Sequence, residues 1–288
     1  REAPVRRGAP RQLPLGKRSH GEPGEEADDY LALDLSILDF NQRVLELAED
    51  PEAPLLERFR FLSIFAANMD EFFVVRVGRM KEEVSRGRLS GDEDMPVEVL
   101  LDLVTVRVRA LTARQYKCLH QMLLPQLAEH GVRVLGWKDL TPPQQTALTK
   151  RFSDEIFPFL TPLSLSVGPG RSFPRLVSLG LALAAVLRRN GEERSELGYV
   201  PIPSHLSRFL AVPDSRDVVS VEEVIGANAR QLFPSAQVDA AYTFRASRLG
   251  DVEIDEDSSG SLLSSSADEV EARPYKSVLR FEVQATMP

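Results

Sequence analysis

On a helix, Asn68, Phe72, Val75 and Arg79 recur at i, i+4, i+7 and i+11, setting a carboxamide, an aromatic ring and a guanidinium along one surface. They lie in "LSIFAANMDEFFVVRVGRM", residues 62–80, which is apolar enough for a core yet carries Asn68, Asp70 and Glu71 together at its centre. A carboxamide offers two donors and an acceptor, which suits it to reading the edge of a flat heteroaromatic base. The same cluster also reads as a polar tie between packed helices, with Asp70 or Glu71 pairing with Arg76 or Arg79, since polar groups near a core are usually satisfied there. The residues alone leave both readings open.

Other chemistry is sparse. There is no GxxxxGK[ST] loop: "LGKRS" has Gly16-Lys17 but neither the upstream glycine spacing nor the hydroxyl that must follow the lysine. No GxGxxG follows a strand, and there is no HExxH. The four histidines (His20, His120, His130 and His205) are scattered without metal-ligand spacing, and none can be placed in a Ser-His-Asp set. In "GPGRSFP", residues 168–174, backbone N–H groups and Arg171 could meet an anion, although a Pro/Gly-rich connector of this kind reads first as a turn. Asp34, Asp39, Asp154 and Glu155 read as caps or solvated faces, His205 as a loop residue and Cys118 as packed on its helix. Residue chemistry therefore predicts no catalytic centre and no metal site.

The elements that must position the cluster follow from periodicity. "LDLSILDFNQRVLELAED" predicts a helix capped by Ser36, with Leu38, Leu45 and Ala48 on one side and Ile37, Phe40, Val44 and Leu47 widening the stripe. Pro54 opens a second helix that runs to Gly87, and Pro96 a third that runs to His130, giving a helical bundle. Beyond Gly131 β signals take over. "LVSLGLALAAVLRR" and "EERSELGYVPIP" read as strands joined by an Asn190-Gly191 turn, with further strands in "RFLAVP", "AAYTFRASRL" and "SVLRFEVQA". Ser220 and Glu223 form a capping box. The division expected is a disordered tail over 1–30, a helical domain over 31–130 and an α+β domain over 131–288 that stops short at its C-terminal end.

Composition bounds the function. The 35 Lys+Arg against 43 Asp+Glu give a net charge of −8, without the basic excess of a duplex-binding domain, so nucleic acid is not an expected partner. The single cysteine fits a reducing, cytoplasmic setting. The apolar run Leu176–Leu187 is far shorter than the roughly 20 residues a membrane helix needs. The chain begins "REAPVRRGAPRQ", with neither Met nor a signal core, and reads as part of a longer protein.

The segment "LDLSILDFNQRVLELAEDPEAPLLERFRFLSIFAANMDEFFVVRVG" strongly resembles the N-terminal domain of bacterial ATP-dependent polyphosphate kinases. The likeness continues collinearly through "FPRLVSLGLALAAVL", "VPIPSHLSRFLAV", "VEEVIGANARQLFP", "FRASRLGDVEIDED" and "VLRFEVQATMP". The resemblance implies an N-terminal helical bundle and an α+β, phox-homology-like head domain. It further implies reversible transfer of the terminal phosphate of ATP to inorganic polyphosphate through a phosphohistidine, with Mg²⁺ and the reactive histidine held by later domains. It also implies a homo-oligomer joined through the head domain, and it places Asn68 on the adenine side of the ATP site. On that basis this chain is expected to be inactive alone. Ile37 stands where the family usually has Trp, Met69 where it has Leu, and "RSFP" where it has H-P-F-P. The rival reading is a non-catalytic binding or dimerisation module built from the same two domains. Strand alternation adds that Arg245 and Arg248, three apart, face opposite ways unless a bulge or strand end intervenes, so at most one should touch polymer, while the other ties to acidic neighbours such as Asp251 or Glu253.

Overall fold

The computed structural model describes residues 25–85, 96–165, 180–188, 196–248 and 278–287, with side chains from residue 33 onward. Helix α1 spans Glu25–Glu49. It starts inside the stretch expected to be tail, and Ser36 lies within the helix instead of capping it. α2, Leu55–Phe72, runs through one π-helical turn, Phe73–Val77, directly into α3, Gly78–Ser85. α4, Val97–Lys117, likewise continues through a π turn, Cys118–Leu123, into α5, Leu124–Glu129. Pro54 and Pro96 stand at the N-caps of α2 and α4, where a missing N–H costs nothing.

The three helical arms share one apolar core. Leu38, Leu45, Ala48, Phe65 and Leu123 are 0% exposed within it. The wider stripe expected on α1 is only partly used, since Phe40 and Leu47 remain exposed. Arg58 is inside this domain, at 1% exposure. Its Nε donates to the Ala48 carbonyl (2.9 Å) and its Nη1 to Gln126 Oε1 (3.0 Å). The guanidinium thus satisfies an orphan carbonyl at the end of α1 while tying α1 to α5. Cys118 is packed as expected, its thiol 3.5 Å from the same carbonyl and pushed up in pKa by burial.

After Gly131, at φ 79°, the chain turns into the α+β head. β1 (Val134–Leu135), β5 (Phe209–Ala211) and β6 (Val218–Ser220) form a small sheet in the order β1-β6-β5. The larger sheet is antiparallel, in the order β2-β4-β3-β7-β8. Its strands are β2 (Leu163–Leu165), β3 (Leu181–Arg188), β4 (Glu196–Pro201), β7 (Gln237–Arg248) and β8 (Val278–Val283). β3 and β4 pair as the predicted hairpin; the Asn190-Gly191 turn between them lies outside the described residues, as do Arg171, Asp251 and Glu253.

Alternation gives the large sheet two faces. Leu183, Ala185 and Leu187 of β3 meet α6 (Pro142–Arg151), α7 (Val221–Ala227) and α8 (Ala229–Leu232) in the main core. Ala182 and Ala184 face the other way, with Tyr199, Phe244 and Ala246. Gly198 makes room for a neighbouring ring: a Cβ there would lie 2.7 Å from Phe233 Cζ, and the ring would have to shift. At α7, Ser220 Oγ accepts the Glu223 N–H (3.4 Å), but the Glu223 carboxylate accepts from the Trp137 N–H (2.9 Å) instead of closing the box. That side chain joins α7 to the Trp137 turn.

Candidate functional site at the centre of α2

The polar cluster serves several directions at once. Asn68, half-buried, donates from Nδ2 to Asn41 Oδ1 on α1 (2.8 Å). Asn41 is 2% exposed, and its own Nδ2 donates to the Ile37 carbonyl (2.9 Å). One turn of the cluster is therefore a tie between helices, as one of the two sequence readings had it, although the partner is an amide on α1 and not an arginine. Asn68 Oδ1 accepts from no group among the described residues.

Asp70 faces the head domain. Its carboxylate accepts a fork from Arg245 on β7, at 2.8 and 3.0 Å, and a further bond from Arg280 Nη2 on β8. Glu282 on β8 closes the set, 2.7 Å from Arg245 and 3.2 Å from Arg280. Arg280 also lies over the Phe73 ring, 4.4 Å from its centroid, and donates to Ser247 Oγ. Two cations and two carboxylates thus neutralise one another across the domain joint, with side-chain exposures of only 15–28%. Desolvation alone would lower the pKa of Arg245, but Glu282 and Asp70 reverse it, and the guanidinium titrates above its ordinary range. Lys81 adds a bond from Nζ to the Leu279 carbonyl (3.2 Å).

The local pairing expected for Asp70 or Glu71 does not form. Arg76 lies 3.8 Å from Asp34 and Arg79 3.3 Å from Glu83, while Glu71 is exposed. Asp34 was expected on a solvated face or at a cap; it is 3% exposed, and burial pushes its carboxyl up in pKa despite Arg76. The stripe Asn68-Phe72-Val75-Arg79 does not stay together either. The π turn at 73–77 adds a residue to the winding, so Phe72 is buried while Val75 and Arg79 are exposed. π turns of this kind occur frequently at functional sites. This one places Phe73 under Arg280 and on the wall of a cavity of about 700 Å³ between α4 and β8, with Lys81, Arg109, Tyr116 and Phe281 around it.

Arg245 and Arg248 face opposite ways, although the pairing of β7 with β8 shifts register between Ser247 and Arg248. Arg245 shares its face with Ser247 and the Asp70 latch, whereas Arg248 is buried on the Tyr199 side and its pKa is lowered by desolvation. Among the described residues no three His, Cys, Asp or Glu side chains converge on a metal position. Asp39, Asp154 and Glu155 pair with Arg107, Lys150 and Arg151 on exposed surfaces, and His205 packs edge-on against Phe159 in a turn. No described helix is long and apolar enough to cross a membrane.

The fold and the joint together define a two-domain chain, a helical domain and an α+β head pinned by an ionic latch at α2. Residues 30–135 match the polyphosphate kinase N-terminal domain family and residues 143–288 the polyphosphate kinase middle domain family. The chain is 40% identical to the polyphosphate kinase of Streptomyces coelicolor over 92% of its own length and 37% of that protein's. It is 37% identical to that of Thermosynechococcus vestitus, over 90% of this chain and 36% of the relative. The crystal structure of polyphosphate kinase from Porphyromonas gingivalis superposes with a TM-score of 0.69 at 27% identity, covering 88% of this chain and 35% of that one. The chain belongs to the polyphosphate kinase family and spans little more than a third of the length of these relatives.

Proposed function

We propose that this chain forms the N-terminal and head domains of a cytoplasmic enzyme that reversibly transfers the terminal phosphate of ATP to inorganic polyphosphate. Family membership over nearly the whole chain supports the reaction class. In this reading the chain presents the base-binding side of the ATP site, through Asn68, and the head domain that joins subunits into a homo-oligomer. The phosphate-transferring nucleophile and the Mg²⁺ ligands belong to other parts of the protein. Mg²⁺, when bound, neutralises charge on the transferring phosphates. In this reading the residues of this chain bind and orient.

The observation that carries the role of Asn68 is its divided amide. One N–H is committed to Asn41, while Oδ1 and the remaining N–H are left for a ligand. The test is Asn68→Ala in the full-length protein, assayed well below its unfolding midpoint. Losing one neutral hydrogen bond to a base is worth about 0.5–1.5 kcal/mol, so KM for ATP should rise between about two- and tenfold with kcat little changed. The midpoint should also fall, because buried Asn41 Oδ1 loses its donor. A lowered midpoint with an unaltered KM would leave Asn68 as a helix tie and nothing more.

A further inference from the structure

The orientation of an amide side chain is set by whatever its two ends must face. Asn41 is buried, and one end of its amide points at the Ile37 carbonyl, which can only accept. The Asn41 NH₂ is therefore committed there and its Oδ1 must face Asn68. An oxygen facing Asn68 accepts only from a donor, so the Asn68 NH₂ is turned inward, at 2.8 Å, and Asn68 Oδ1 is turned away from α1. A backbone carbonyl thus fixes, through two amides in series, which atom Asn68 presents outward.

We infer that Asn41 is a positioning residue for base selection: it holds Asn68 with its carbonyl oxygen outward, so that the site accepts a 6-amino purine and disfavours a 6-oxo purine. The inference rests on the reading of Asn68 as a base-contacting residue. A 6-amino group donates to Oδ1, and the adjacent ring nitrogen accepts from the remaining Asn68 N–H, the pairing by which asparagine recognises adenine. A 6-oxo purine sets an oxygen against Oδ1 and gains nothing unless the amide turns over. Turning over would point the Asn68 oxygen at the Asn41 oxygen, inside a buried contact where unpaired polar groups are costly. Exposed amides rotate to suit their ligand. This one is held by α1.

The experiment compares ATP with inosine triphosphate, which replaces the 6-amino group by a 6-oxo group, as phosphate donors for the full-length protein and three variants. Asn41→Leu keeps the volume and removes the acceptor; Asn41→Asp keeps an acceptor for Asn68 and loses the bond to Ile37; Asn68→Ala removes the contacting group. All rates are taken well below the lowest unfolding midpoint. Asn41→Leu should reduce the ratio of kcat/KM for ATP to that for inosine triphosphate between about three- and tenfold, chiefly through KM for ATP. Asn41→Asp should hold the ratio within about twofold of the parent even though its midpoint falls. Should Asn41→Leu fail to fold, Asn41→Ala replaces it with the same expected loss. A purely structural Asn41 would give variants ordered by midpoint, all with the parent ratio, and that result overturns the inference. If Asn68→Ala moves the ratio but neither Asn41→Leu nor Asn41→Ala does, the positioning role alone is refuted. If Asn68→Ala moves nothing, the base-contact reading fails and the inference fails with it.

Discussion

Replacing Asp70 with Asn changes one atom of the side chain and removes one of the four charges at the domain joint. In the native joint Arg245 and Arg280 face Asp70 and Glu282, two positive against two negative groups. In the Asp70→Asn variant the set carries a net positive charge, and the two guanidinium groups have only Glu282 between them. Charges about 4 Å apart attract by about 4 kcal/mol at the effective dielectric of a protein surface, so two lost pairs amount to about 8 kcal/mol gross. Most of that is offset, because Asp70 no longer has to be desolvated and the side chains retain 15–28% exposure through which water can return. Exposed pairs contribute about 0–1 kcal/mol and breaking a buried pair costs about 3–5 kcal/mol, so a joint of intermediate burial should lose about 2–3 kcal/mol. For a chain of 288 residues that is roughly 3–5 °C in midpoint. Urea denaturation and thermal melting of the parent, Asp70→Asn, Arg245→Met and the double variant measure it, with exposed Glu71→Gln as the control. The double variant should show a coupling of about 1 kcal/mol or more between positions 70 and 245. If Asp70→Asn costs no more than Glu71→Gln, or if the two changes simply add, the joint is not held by this network.

Substitutions at two other positions test the frame around the site. Arg58→Met should cost about 2–4 kcal/mol in urea denaturation, because it strips the donor from the buried Ala48 carbonyl and from Gln126. Arg58→Lys should recover little, since one ammonium cannot span both acceptors in the same plane. In the head domain, hydrogen bonding by the Arg133 guanidinium first, then by the Ser215 side chain and the Arg133 backbone N–H, holds the Asp217 carboxyl down from 3.8 to about 2. A depressed carboxyl contributes stability that is complete above its unfolded pKa and is lost as pH falls through the folded one. The midpoint difference between the parent and Asp217→Asn should therefore be largest near neutral pH and close between about pH 4 and 2; a difference that stays constant across that window would remove the ion pair from the account.

The helical domain was legible because its signals are local. Leu38, Leu45 and Ala48 repeat at helical spacing and are buried, and the proline breaks at 54 and 96 stand where helices begin. The hairpin and the two faces of β7 followed from period-2 alternation, so that Arg245 and Arg248 were correctly set on opposite sides. The start of α1 was not legible, because "EEADDY" is polar and a serine after it offers a ready cap. Neither were the π turns, which add a residue where packing requires it and leave no mark in periodicity. The polar cluster was misread in one respect. A single helix offers partners within a few turns, whereas those of Asp70 lie 175 and 210 residues away. Two arginines on neighbouring strands sharing a single carboxylate, Glu282, were the available hint, visible only once β7 and β8 are paired.

Successive residues on a helix turn by 100°, so Asn68 and Asp70 are about 200° apart and must serve opposite flanks of α2. One flank is held by an amide on α1, the other by the ionic latch of the head. Placing both groups within three residues means that a single turn of α2 is fixed from both sides, and neither contact can carry out the other's role. The amide bond is short-ranged, neutral and directional; it sets the rotation of one side chain and contributes little to holding domains. The latch is charged, four-membered and multidentate; it holds β7 and β8 against the π turn but does not touch Asn68. Substitutions at the latch should accordingly act through stability and domain orientation, and substitutions at Asn41 through the preference for one base over another. A helix that was only core would need neither contact.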